Sequence, residues 1–218
     1  MHSEASSLLG RLRSHLIGAL ALYLARPVRH DRASAAADPQ SLSAMLLPGD
    51  VLLTDGNTRA AALVRRITKS SWAHVAMYVG PLEEGPDPRC IVEADVAAGV
   101  QSVRLSELKG LDVRVLRPRG LGDAERRRLA SWVVSRIGDA YDLRHAWALA
   151  TKLLRLPLAW LFAPAPGILA QSATGFICSS LLAHAFLMVG YPIADHRNII
   201  PRDFESAPVF EVVRPASM

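Results

Sequence analysis

The chain is organised around one stretch near its carboxyl end, Gly175-Phe176-Ile177-Cys178-Ser179-Ser180-Leu181-Leu182-Ala183-His184-Ala185-Phe186-Leu187-Met188-Val189-Gly190. This pattern predicts a turn at Gly175, then a helix that carries Cys178 in its first turn and stops at Gly190. A thiol at a helix N-terminus lies beside unpaired backbone N–H groups and the positive end of the helix dipole, and both favour the thiolate. Cys178 is therefore a candidate nucleophile. On this stretch alone the alternative, a buried structural cysteine, stays open.

The composition of the chain narrows the classes of function. Its 218 residues suit one domain with a full core, and the formal net charge of +5 fits an anionic neighbour such as a membrane surface. No run of lysine or arginine is interleaved with aromatic residues, so no nucleic-acid partner is expected. The two cysteines, Cys90 and Cys178, form no zinc-ligand spacing with histidines. We therefore expect neither a metal nor another cofactor.

The N-terminal part is predicted to lie outside the catalytic domain. Residues 8–25 place leucines at helical spacing with Arg11 and Arg13 among them, which predicts an amphipathic helix too short to span a bilayer. We interpret it as an interfacial or partner-docking helix, with a signal peptide as the alternative. Residues 28–44 are polar and predict a linker, so the division is 1–46 for helix and linker and 47–218 for the catalytic domain. A cytoplasmic or membrane-associated bacterial-type protein is favoured, with export as the alternative.

The middle of the chain predicts an antiparallel sheet. A short strand follows the turn Leu47-Pro48-Gly49-Asp50, and further strands are expected at 73–80, 90–95, 100–105 and 112–116. A helix over 58–68 follows the first strand, and another runs from a cap at Asp123 to about Ile137. Strands joined by turns, with helices before and after them, predict an α+β fold.

A cysteine nucleophile needs a base within hydrogen-bond reach and a polar group that orients this base. His74 lies on a predicted strand, and Glu93 on the next strand could hold its imidazole. His184 follows Cys178 by six residues, about 240° around the helix, so it cannot reach the thiol from that helix. His145 and His196 stay open as alternative bases.

Six motifs carry a resemblance to a known family. They are, in order, Gly49-Asp50-Val51-Leu52-Leu53, Ser71-Trp72-Ala73-His74-Val75-Ala76-Met77-Tyr78-Val79-Gly80, Val92-Glu93-Ala94, Gly138-Asp139-Ala140-Tyr141-Asp142, Phe176-Ile177-Cys178-Ser179-Ser180-Leu181 and Pro201-Arg202-Asp203-Phe204. In this order they resemble the circularly permuted papain-like amidases of the YiiX/YaeF type, within the NlpC-type superfamily. The resemblance covers about residues 47–213.

This resemblance implies a circularly permuted papain-like fold, in which an antiparallel sheet packs against the helix that bears the nucleophile. It also implies roles: Cys178 as nucleophile, His74 as base and Glu93 as the residue that orients the base. Tyr141 is a further candidate, as a wall of the site or a second oxyanion donor.

The implied activity is that of a cysteine hydrolase acting through a thioacyl intermediate. Its substrate would carry an amide bond, peptide or N-acyl, or an acyl ester, in the cell envelope or linked to a lipid. Residues 156–194 contain no Asp, Glu, Lys or Arg, which together with the N-terminal helix favours a lipid. The alternatives are a phospholipid acyl hydrolase or acyltransferase of the lecithin:retinol acyltransferase-like kind, and a non-catalytic membrane-docking module.

Overall fold

The computed structural model describes residues 23, 26, 27, 38–95, 98–140, 177–193 and 199–213. The N-terminal helix predicted over residues 8–25 falls almost wholly outside these residues, as do Tyr141, His145 and His196. Among the described residues, no helix is both long enough and apolar enough to cross a membrane.

Six strands form one antiparallel sheet, in which the spatial order is β4-β3-β2-β1-β5-β6. In chain order the elements are α1 (Pro39–Met45), β1 (Val51–Thr54), α2 (Arg59–Thr68), β2 (His74–Tyr78), β3 (Arg89–Asp95), β4 (Gly99–Arg104), a 3₁₀ helix (Leu105–Leu108), β5 (Val113–Pro118), α3 (Asp123–Val134), α4 (Cys178–Met188), α5 (Pro201–Ser206) and β6 (Phe210–Val213). This arrangement confirms a mixed fold built on an antiparallel sheet.

The two faces of the sheet bury different side chains, as the alternation along the strands predicts. On one face α3 and α4 pack over a core that includes Val75, Met77 and Phe186. On the other face α1 and the 3₁₀ helix cover a second core that includes Leu52 and Ala76. Because both faces are covered, every residue of β1 is buried, and the cysteine helix is held firmly against the strands.

The helix limits predicted from the sequence are confirmed in part. Gly190 follows the end of α4 with φ of 75°, the left-handed conformation that glycine adopts without strain. The predicted cap of α3 was wrong by one residue, because Gly122 takes the cap position and Asp123 is the first helical residue. This helix also ends at Val134, before the predicted Ile137.

Residues 39–45 form a helix where polar composition predicted a linker. The side chain of Asp38 caps α1 by accepting a hydrogen bond from the backbone N–H of Ser41 at 3.1 Å, and Leu42 is buried in the second core. Two further elements, α5 and β6, were not predicted. Their Phe204 and Phe210 lie in the first core. Tertiary packing therefore stabilises segments too short to show a period of their own.

A buried carboxylate anchors the start of β1. Asp50 is fully buried and accepts hydrogen bonds from Arg117 Nε at 3.0 Å and Nη2 at 2.6 Å. Arg126 Nη1 lies 3.4 Å from the same carboxylate, and the backbone N–H of Leu47 donates to it at 2.9 Å. The Gly49-Asp50 motif therefore joins β1, β5 and α3, and it lies outside the site described next.

Candidate active site

Cys178 is the first residue of α4. Ile177 before it is extended, with φ of −91° and ψ of 162°, so the backbone N–H of Cys178 belongs to the group at a helix start that has no intrahelical acceptor. Two serines fix this first turn: Ser179 Oγ donates to the carbonyl of Ile199 at 2.7 Å, and Ser180 Oγ accepts from the N–H of Ile177 at 3.0 Å. The thiol is thus held, half-buried, at the helix end that favours negative charge.

His74 lies between Cys178 and Glu93. Its Nε2 lies 2.9 Å from Glu93 Oε2, and Cys178 lies close enough for its charge and hydrogen bonding to raise the pKa of His74. Since Nε2 is occupied by the carboxylate, Nδ1 is the nitrogen left for the thiol. The structure therefore brings the three predicted site residues together.

Strand register explains how His74 and Glu93 meet. Met77 of β2 pairs with Val92 of β3 in antiparallel register, so Ala76 lies opposite Glu93 and His74 lies one step along the same face. Such diagonal neighbours lie about 7–8 Å apart and are within reach of long side chains. The small side chain of Ala76 leaves room for Glu93 to reach back to the imidazole.

The charges of the site support one another. Burial lowers the pKa of His74, but the negative charge and hydrogen bond of Cys178, followed by those of Glu93, raise it well above the ordinary histidine value. Burial also raises the pKa of Glu93, yet the hydrogen bond and charge of His74 and a hydrogen bond from Gln101 hold it below its usual range. This arrangement stabilises the imidazolium form of His74 beside the side chain of Cys178.

Gln101 is a part of the site that the sequence analysis missed. It lies directly opposite Glu93 in the β3–β4 ladder, and its Nε2 donates to Glu93 Oε1 at 3.1 Å. Both strands were predicted, but the pairing of individual residues depends on the turn between them. A prediction of the register of this hairpin would have placed Gln101 opposite Glu93.

A cavity of about 400 Å³ opens at the three residues. Apolar side chains of α2, among them Val64 and Ile67, line one wall, and Ala76 and Val103 of the sheet lie opposite. Helix α2 is amphipathic, yet none of its residues is buried. Its apolar side therefore faces the space beside Cys178 instead of a packed core.

The remaining candidates lie elsewhere or outside the described residues. Cys90 is buried in the second core, where burial raises the pKa of its thiol. His184 Nδ1 lies 2.8 Å from the carbonyl oxygen of Ser180, one turn back on α4. Tyr141, His145 and His196 are not described. Within the described part of the chain, no group of three or more His, Cys, Asp or Glu side chains could hold a metal ion.

A family of known proteins and a solved structure are similar to this chain. Residues 45–152 match the family described as permuted papain-like amidase enzyme, YaeF/YiiX, C92 family, which confirms the resemblance seen in the sequence. The crystal structure of metalloprotein yiiX from Escherichia coli O157:H7 has a similar fold, with a TM-score of 0.53 and 15% identity over 77% of this chain and 96% of that chain. No curated protein matches the sequence significantly.

Proposed function

We propose that the chain, whose residues 45–152 match the permuted papain-like amidase enzymes, hydrolyses an amide bond, peptide or N-acyl, or an acyl ester, with Cys178 as its nucleophile. One observation carries the proposal: Cys178, at the start of α4, lines the same cavity as His74, which Glu93 holds at 2.9 Å. A nucleophile, a base and an orienting carboxylate in this order form the constellation used for acyl transfer.

The reaction follows from this order. His74 accepts the thiol proton, and the thiolate attacks the carbonyl carbon of the substrate. The backbone N–H of Cys178 donates to the oxyanion that forms. When this intermediate collapses, the protonated His74 gives its proton to the departing amine or alcohol, and the acyl group stays on sulfur. His74 then removes a proton from water, which attacks the thioester, and the carboxylic acid leaves while the thiol is restored.

Glu93 and Tyr141 have supporting roles in this proposal. Glu93 keeps Nε2 of His74 protonated, so that Nδ1 accepts and returns the proton on the side of Cys178. Tyr141 follows the Gly138-Asp139-Ala140 turn and is proposed as a wall of the site or second oxyanion donor; it lies outside the described residues.

The cavity favours an apolar acyl group in the substrate. Val64 and Ile67 on α2 offer apolar surface a short distance from the nucleophile, and the volume of about 400 Å³ suits a small-molecule ligand. A lipid-linked or cell-envelope amide fits this surface. The same observation supports the second candidate function, a phospholipid acyl hydrolase or acyltransferase. In either case residues 8–25 are proposed to dock on an anionic membrane surface.

Paired substrates test the proposal. Wild-type protein should release the acid from an N-acyl amide or from a phospholipid ester, and the favoured class is the one with the higher kcat/KM. Mass spectrometry of the quenched reaction should show the acyl group on Cys178. Cys178→Ser is the matched control and should show neither. If wild type and Cys178→Ser release acid at the same rate, Cys178 is not the nucleophile.

A further inference from the structure

Both oxygens of the Glu93 carboxylate accept hydrogen bonds. Oε2 accepts from His74 at 2.9 Å, and Oε1 accepts from the side-chain amide of Gln101 at 3.1 Å. The proposed reaction depends directly on the first contact only. The second one occupies the side of the carboxylate that faces away from the imidazole.

Gln101 is itself held on a rigid element. Its neighbour Val100 donates its backbone N–H to the carbonyl of Asp139 at 2.8 Å, and the N–H of Gly138 donates to Val100 at 2.9 Å. Gly99 packs so closely here that an added Cβ would lie 2.5 Å from the Asp139 carbonyl oxygen. Hydrogen bonds therefore hold the start of β4 on both edges, to β3 and to the turn that follows α3. They also fix the backbone position of Gln101.

We propose that Gln101 is a positioning residue for the reaction: its amide N–H holds the Glu93 carboxylate in the rotamer that keeps Nδ1 of His74 turned toward Cys178. This inference rests on the proposed function, because it assigns Gln101 a role through Glu93 and His74. Gln101 contacts neither sulfur nor substrate in this role, and acts only through the carboxylate.

The amide suits this position better than a charged side chain would. A lysine or arginine would pair with Glu93 and weaken its hold on the imidazolium, whereas a carboxylate would repel it. Two further carboxylates, Asp95 and Glu107, line the same cavity. Asp95 accepts from the N–H of Ala98 and Glu107 from that of Arg104, each at 2.9 Å. The hydrogen bond from Gln101 lowers the pKa of Glu93 and so keeps this carboxylate an acceptor.

Gln101→Leu, which has a similar volume and no donor, is the first test. We expect kcat on the substrate class favoured by the paired test to fall about tenfold, as for the loss of one hydrogen bond to a charged group. KM should stay unchanged. The acid limb of the pH profile of kcat/KM should move to higher pH, because Glu93 becomes easier to protonate. Ser102→Ala, on the other face of β4, is the control and should keep the wild-type profile.

Gln101→Glu covers the case in which leucine disturbs folding. It keeps the size and polarity of the side chain but sets a second carboxylate against Glu93, so the acid limb should move to higher pH than in wild type. Wild-type pH limbs in both variants overturn the inference. So does a lower kcat with unmoved limbs, since a merely structural role would produce it.

Alkylation of Cys178 by iodoacetamide separates this inference from the proposed function, because it needs no substrate. In wild type Cys178 should react far faster than Cys90, and in Gln101→Leu it should react more slowly than in wild type. If wild-type Cys178 reacts no faster than Cys90, the proposed function fails. If it reacts fast and Gln101→Leu reacts at the wild-type rate, only the role of Gln101 fails.

Discussion

Two carboxylates lie near opposite ends of β1, and their partners differ. Asp50, just before the strand, is bound by Arg117 and Arg126. Glu93 reaches His74, which pairs with Thr54 at the other end of the strand. Asp50 is fully buried and Glu93 is partly buried. Both have partners, yet Asp50 joins elements of the fold while Glu93 lies near a candidate nucleophile.

The difference lies in which partner can lose a proton. Arginine keeps its charge throughout the physiological range, and the hydrogen bond and charge of Asp50 raise the pKa of Arg117 still further. The Asp50 cluster is therefore a fixed set of charges. Histidine gains and loses a proton near neutral pH. A carboxylate beside His74 can therefore assist proton transfer. Four experiments test this difference.

Removal of the nucleophile should have the largest effect. Cys178→Ala should lower turnover by roughly 10³-fold or more, and the melting temperature should stay close to that of wild type because the side chain is small and only half-buried. Steady-state assays and thermal melts measure the two effects. Cys90→Ala is the matched control: it should keep turnover and lose roughly 1 kcal/mol of stability. Equal loss of activity in both variants would mean that the nucleophile has been misplaced.

Asp50→Ala should act on stability alone. It leaves two partly buried guanidinium groups without their carboxylate, and breaking such a pair costs about 3–5 kcal/mol. Urea denaturation should show this loss, and the fraction that stays folded should retain wild-type kcat. A specific loss of kcat in fully folded Asp50→Ala would contradict a purely structural role.

Glu93→Gln should show the opposite pattern. An amide can still contact His74, but it no longer stabilises the imidazolium, so kcat should fall on the order of 10²-fold while the melting temperature changes little. Asp50→Ala should therefore change stability alone, whereas Glu93→Gln should change mainly kcat. The contrast fails if Glu93→Gln unfolds as readily as Asp50→Ala and its folded fraction is fully active.

The smallest expected effect is a change in how the free energy of unfolding depends on pH. The pKa of His74 is raised in the folded state. Its contribution to the free energy of unfolding is therefore fully present below the unfolded-state pKa of about 6.5 and is lost as pH rises through the raised pKa. The folded-state pKa of Glu93 is lowered, so its contribution is present above the unfolded value of about 4.3 and is lost as pH falls through the lowered value.

Urea melts of wild type and His74→Ala at a series of pH values test this linkage. The stability difference between them should shrink as the pH rises through the alkaline range. The cost of Asp50→Ala should stay constant between about pH 6 and 9, because neither arginine loses its charge there. A difference for His74→Ala that stays level across the whole range would show that its imidazolium adds nothing to stability.

Much of the fold and of the candidate site was predictable, because both depend on local patterns. Alternation along residues 73–80 assigns His74 and Ala76 to one face, and the caps and glycines around residues 175–190 place Cys178 at a helix start. These features depend on neighbours within about four residues along the chain. The order of the motifs then predicted a permuted papain-like arrangement, which the family match confirms over residues 45–152.

Contacts between distant segments were decided only in the folded molecule. Strand register sets Gln101 opposite Glu93 and His74 diagonal to it, and nothing in either strand alone specifies that register. Asp50 finds Arg117, 67 residues away, only because β1 and β5 are neighbours. Elements α5 and β6 likewise exist because Phe204 and Phe210 are buried by other parts of the chain. Periodicity is a local property, so the sequence assigns faces and helix ends, whereas burial and pairing depend on where the rest of the chain lies.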